Sequence, residues 1–113
     1  MRRDRTTLAQ ILERIDRIEA SGVDRERFQR NEWDQDAVVR NLEVIGEAIQ
    51  RLSDEVRARP SEVRLSGFTG LRDIIIHGYD SLNLDRTWVI VERDLPSLKA
   101  EVRRVLKSLD ADR

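Results

Sequence analysis

The single histidine, the single tyrosine and an arginine fall within eight consecutive residues, Arg72-Asp73-Ile74-Ile75-Ile76-His77-Gly78-Tyr79. Each is a residue type with chemistry to offer. A histidine takes or gives a proton near neutral pH. An arginine holds a phosphate or carboxylate with a fork of donors. Asp73 stands four residues before His77, one helical turn, within reach to accept a ring N–H and fix the tautomer. If the segment is a helix, a turn of about 100° per residue sorts these groups onto faces. With Leu71 at zero, Phe68, Ile74, Ile75 and Gly78 lie within roughly 60° of it and face a core. Gly70, Asp73 and His77 share a face at roughly 200–260°, while Arg72 and Tyr79 lie nearly in line on one flank. Gly70 leaves room on the polar face for another backbone or a ligand. Ile76, at about 140° between the polar flanks, would be exposed on a monomer and suggests a partner surface. Spacing alone suits blander roles equally: a surface or capping histidine, a tyrosine covering the end of the core, a solvated arginine.

The elements that must position this segment are helical. Leu8, Ile11, Leu12, Ile15 and Ile18 recur at three- and four-residue steps after Thr6-Thr7, a candidate cap, and the run should stop near Ser21-Gly22. Asp24 can cap a short turn carrying Phe28, and Asn31 can cap a long second helix. The stripe of that helix reads Trp33, Ala37, Val38, Leu42, Ile45, Ile49 and Leu52. Gly46 within it implies a close helix neighbour, since glycine there costs roughly 1 kcal/mol relative to alanine. A short turn from Ser53 is stopped by Pro60. A third helix, carrying the polar cluster, covers about 66–79, a loop leads to Asp85 as the next cap, and Trp88, Val91, Leu95, Leu98, Val102, Val105, Leu106 and Leu109 keep a helical period. Pro96 marks a kink or a fresh start behind a cap at Asp94. No repeat and no convincing strand interrupts this pattern, which predicts an all-α, up-and-down bundle of four to five helices in one domain over 1–113.

Composition narrows the chemistry. The chain has 113 residues and no cysteine, so it offers no disulfide, thiol nucleophile or zinc knuckle, and a single histidine removes most histidine-rich metal sites. No metal site or cofactor is expected: Glu43 and Glu47 read as surface charges, and no Glu-x-x-His pair supports a di-iron centre. The 21 basic and 22 acidic side chains leave a formal charge of −1, which argues against holding nucleic acid by bulk electrostatics but leaves room for a local basic cleft. Apolar runs such as Ile74-Ile75-Ile76 are too short to span a membrane, and the start lacks the apolar stretch of a signal peptide. A cytoplasmic protein with no membrane partner is the expectation.

The arrangement Arg72-x4-His77-x-Tyr79 resembles the R-x4-H-x-Y signature of HepT-like toxins, a branch of the HEPN superfamily. The segment from Gln35 to Ala48, containing Asn41-Leu42-Glu43-Val44-Ile45-Gly46-Glu47, resembles that family's second helix. Trp88 to Leu98, with Asp94-Leu95-Pro96, is similar to its fourth-helix region, so the likeness runs over about 8–106. The resemblance implies a helical bundle that pairs as a homodimer, with two signature helices meeting across a cleft bordered here by Gly70 and Ile76. It also implies a metal-independent ribonuclease toxin, encoded beside an MntA-like minimal nucleotidyltransferase antitoxin that silences it by transferring AMP to the signature tyrosine. Carried across, Arg72 and His77 are catalytic and Tyr79 is the modification acceptor. The position after the arginine is polar in the family, often asparagine; Asp73 keeps its hydrogen-bonding capacity in a supporting role.

Cleavage of RNA by its own 2′-hydroxyl needs one group to take a proton and another to give one, and a lone histidine cannot begin in both states. A two-fold dimer supplies two copies of His77, one as base and one as acid, with paired Arg72 side chains stabilising charge on phosphorus. The alternative is a non-catalytic helical partner that docks beside a nucleotidyltransferase and helps bind nucleotide, using the same bundle without a titrating His77.

Overall fold

A computed structural model describes residues 2–58, 71 and 83–111. Every element assigned among them is helical, and no strand occurs among the described residues. The first helix, α1 (Arg2–Ala20), buries Leu8, Ile11, Ile15 and Ile18 and keeps Leu12 half-buried against them, as the spacing requires. Its start differs from expectation. Thr6-Thr7 is not a cap but lies inside the helix, which begins at Arg2, because the first turn is tied down from elsewhere in the molecule. The carboxylate of Asp4, only 5% exposed, accepts from the backbone N–H of Ser53 and from its hydroxyl, both at 2.9 Å. The stop is as read: Ser21 Oγ donates to the Ile18 carbonyl at 2.6 Å and Gly22 takes φ +73°, a left-handed conformation costly to other residues.

Asp24 caps α2 (Arg25–Arg30) by accepting from Arg27 N at 2.9 Å, and Phe28 on that turn is fully buried. Asn31 ends α2 and begins α3 (Glu32–Arg51): its N–H donates to the Arg27 carbonyl while its side chain accepts from Asp34 N at 3.1 Å. Val38, Val39, Leu42, Ile45, Ala48 and Ile49 then enter the core. Trp33 and Ala37 do not. Measured from Leu42, Trp33 lies about 180° round the helix, and it stands 85% exposed. The wide apolar stripe of the sequence is therefore narrower in the fold, beginning at Val38. Gly46 is buried, as a close neighbour would require. Ser53 caps α4 (Asp54–Arg57), which contributes Val56 to the core.

The next described helix, α5 (Leu84–Val89), is capped by Asn83, whose side chain accepts from Arg86 N at 3.0 Å. Asp85, the expected cap, sits in the first turn and is drawn sideways onto α2, accepting from Gln29 Nε2 at 2.8 Å and pairing with Arg25. Phe28 and Trp88 meet beneath that contact with ring centroids 5.4 Å apart, a tilted aromatic pair. The helix then widens into one π turn, Ile90–Asp94, before α6 (Leu95–Ala111). Leu95 N–H donates to the Ile90 carbonyl, five residues back rather than four. Pro96 thus neither begins a new helix nor uses Asp94 as a cap. A proline lacks an N–H and crowds the carbonyl four residues earlier, and a wider preceding turn absorbs both defects without ending the helix.

Polar contacts fix the helix directions. Asp4 meets Ser53, Gln10 meets Arg51 and Arg14 meets Asn41, so α3 runs antiparallel to α1. Arg5 meets Leu109 and Asp110, while Lys99 meets Asp16 and Glu19, so α6 is antiparallel to α1 as well. Helix α1 is the shared wall, with α3 and α6 packed on it and α2 and α5 closing one end. The expectation of an all-helical fold holds.

Candidate functional site

Of the stretch carrying the candidate chemistry, Leu71 is described: it is helical, 1% exposed and part of the central core. That is the place the helical wheel assigns it as the residue facing inward. Gly70, Arg72, Asp73, Ile76, His77 and Tyr79 lie outside the described residues, as does Pro60.

What surrounds that stretch in sequence is firmly built. On the near side, Ser53 both caps α4 and grips Asp4 of α1, and Val56 is buried. On the far side, Asn83 caps α5 and Thr87 Oγ1 donates to the Asn83 carbonyl at 2.8 Å. Asp85 binds α2, and Trp88 packs on Phe28. The described segments that precede and follow this stretch in sequence are thus fastened to the frame of α1, α2 and α3. Leu71 adds a further anchor in the core.

The frame itself is close to electrically neutral in detail as well as in sum. Arg5, Arg17, Arg25, Arg27, Arg30, Arg40 and Arg57 each sit against a carboxylate. Lys99 bridges Glu19 at 2.8 Å and Asp16 at 3.5 Å. Its ammonium is held above the usual lysine range, chiefly by the hydrogen bond to Glu19; desolvation opposes this and Asp16 supports it. Among the described residues no group of three or more histidine, cysteine, aspartate or glutamate side chains is placed to hold a metal ion. No helix among them is long and apolar enough to cross a membrane.

Three features escaped the reading of the sequence. Asp4 and Glu101 are buried carboxylates, 5% and 3% exposed, in positions that look like ordinary helix-surface charges. The π turn had one visible signal, Pro96, whose effect on the preceding turn depends on packing that the one-dimensional pattern does not contain.

A helical domain of this kind, with Arg72-x4-His77-x-Tyr79 lying in sequence between α4 and α5, defines a class that comparison with known proteins makes specific. The family model described as "Ribonuclease HepT-like" matches residues 10–105, and the chain belongs to that family. It is 37% identical to the gamma-glutamylcyclotransferase and putative RNase of Methanocaldococcus jannaschii over 116 aligned residues, covering 100% of this chain and 52% of that protein. It is 33% identical to the putative RNase of Caldanaerobacter subterraneus subsp. tengcongensis over 93 residues, covering 82% of this chain and 81% of that one. The probable ribonuclease HepT of Thermococcus cleftensis is 32% identical over 82 residues, 73% of this chain and 74% of its own. The chain therefore spans about half the length of the first of these relatives and most of the other two. No solved structure matches.

Proposed function

We propose that this chain is a metal-independent endoribonuclease toxin, active as a homodimer and silenced by adenylylation of Tyr79. The observation that carries the reading is the complete Arg72-x4-His77-x-Tyr79 signature, lying inside the 10–105 region that matches the ribonuclease family. Relatives named as ribonucleases support the same reaction class. Two signature helices meet across the dimer cleft at Gly70 and Ile76. His77 of one protomer removes the proton from a ribose 2′-hydroxyl; that oxygen bonds to the adjacent phosphorus, and the bond from phosphorus to the 5′-oxygen breaks. His77 of the other protomer gives its proton to the departing 5′-oxygen. Arg72 from each copy stabilises the charge that develops on the phosphoryl oxygens, and Asp73 holds the imidazole in the working tautomer. The products are a 2′,3′-cyclic phosphate and a 5′-hydroxyl, with the proton budget closed between two histidines.

Adenylylation of the Tyr79 hydroxyl by an MntA-like minimal nucleotidyltransferase places a bulky anion on the flank shared with Arg72. There it occupies the position of the substrate phosphate, so silencing requires no unfolding. The test is induced expression in a bacterial host. The unaltered chain arrests growth, His77→Ala relieves the arrest, and a co-expressed cognate nucleotidyltransferase rescues the unaltered chain but not Tyr79→Phe. Growth that is unaffected by the unaltered, unmodified protein, with intact binding to the nucleotidyltransferase, would favour a non-catalytic partner.

A further inference from the structure

On the solvent face of α6 two cations stand unpaired among the described residues, one turn apart, whereas seven arginines of α1 to α4 each sit against a carboxylate. Setting Val102 at zero, Arg103 lies at about 100°, Lys107 at about 140°, Ala100 at about 160° and Arg104 at about 200°, and all four are exposed. Arg104 is held at 3.2 Å by the buried carboxylate of Glu101, which fixes its base on this face. Arg103 and Lys107 have no ion-pair partner among the described residues, although like charges one turn apart repel. The helix macrodipole does not account for them, because its pull on cations fades outside the last turn and α6 carries no basic residue there. A protein interface would need an apolar centre, and the exposed apolar neighbours here are small, Pro96, Ala100 and Ala111.

We infer that the Arg103–Lys107 face of α6 is a secondary contact for the phosphate backbone of RNA, outside the signature segment. The choice of RNA as the polyanion rests on the ribonuclease reading above. The exposed carboxylate on this flank, Asp110, is engaged by Arg5 at 3.2 Å, so the two unpaired cations offer a point-charge track for two phosphates, while the ion-paired cations of α1 to α4 present the same charge already compensated.

The test is binding of a fluorescent single-stranded uridine oligonucleotide to the full chain carrying His77→Ala, followed by anisotropy over a range of salt. Each phosphate contact to a single strand contributes about 0.7 to the slope of log affinity against log salt. The double variant Arg103→Gln/Lys107→Gln should flatten that slope by about 1.4, so between 50 and 200 mM salt it loses about sevenfold less affinity than its parent. Each single substitution gives half the change in slope, which keeps the result readable if the double variant folds poorly by circular dichroism. Arg17→Gln/Arg30→Gln, which removes two ion-paired cations, should leave the slope unchanged. An unaltered slope in the Arg103/Lys107 variants overturns the inference. So does a parent that ignores the oligonucleotide but is retained on polyglutamate, which would assign the face to an acidic protein. A flattened slope in a chain whose unsubstituted form cleaves no RNA would sustain this contact and remove the ribonuclease reading instead.

Discussion

A hydroxyl that loses a proton and a leaving oxygen that gains one need two titrating groups, and this chain carries one histidine, His77. Tyr79, two residues on, is given a different part in the proposal: Tyr79→Phe should fold and cleave RNA as the unaltered chain does, yet gain no mass when incubated with nucleotide and its cognate nucleotidyltransferase. Equal mass gain in both would move the modification elsewhere. Away from the signature, the residue with the clearest energetic role is Asp4, whose buried carboxylate takes two hydrogen bonds from Ser53. Asp4→Ala removes two charge-assisted bonds, worth about 1.5–3 kcal/mol each at most, and leaves Ser53 N–H and hydroxyl to solvent, so a loss of about 2–3 kcal/mol in denaturant unfolding is expected. Lys99 sets the alkaline limit of the bond between α1 and α6. Its folded pKa is raised, so its stabilisation is fully present below the unfolded value of about 10.4. It is lost as pH rises through the folded value. Thermal unfolding should show Lys99→Met losing less stability than the unaltered chain across that alkaline window, while being the less stable of the two at neutral pH.

At the scale of elements, caps divide the signals legible in the sequence from those that were not. Asp24 and Asn31 are read correctly because a short polar side chain followed by a helical stripe has one local use, bonding a free N–H two or three residues on. Asn83 and Asp85 compete for the same role two residues apart, and the winner is decided by α2, which claims Asp85 through Gln29 and Arg25. Asn83→Ala should therefore cost about 1 kcal/mol in unfolding free energy, as a lost cap does, and Asp85→Ala, losing exposed contacts, about 0.5 kcal/mol or less. The reverse order would contradict the cap assignment. Trp33 differs from expectation for a related reason: its apolar type suits a core position, whereas the phase set by Val38, Leu42, Ile45 and Ile49 puts it on the opposite side. The inward phase expected of Leu71 is borne out, while the grouping of Arg72, His77 and Tyr79 is an expectation from spacing alone. Their roles are not legible there, because spacing suits a capped helix end as well as a catalyst; the family match over 10–105 supports the catalytic reading that is proposed for them.

For the whole molecule, the helical class follows from periodicity that never shortens to two residues, and the described helices bear it out. Assembly is a property that one chain's pattern does not settle, and the proposed mechanism depends on it. Sedimentation should give the mass of a dimer, and a charge such as Ile76→Glu at the cleft should yield monomers that retain helical content and lose RNA cleavage together. Monomers that cleave at the full rate would remove the split of acid and base between two copies of His77.

The central claim is most directly tested by incubating the purified, unmodified chain with RNA in EDTA beside His77→Ala, with intact mass and dimer state verified for both. Cleavage by the unaltered chain alone, leaving 2′,3′-cyclic phosphate and 5′-hydroxyl ends, is the expected result. No cleavage of several RNA classes, with Tyr79 verified as unmodified, or equal cleavage by His77→Ala, would contradict it.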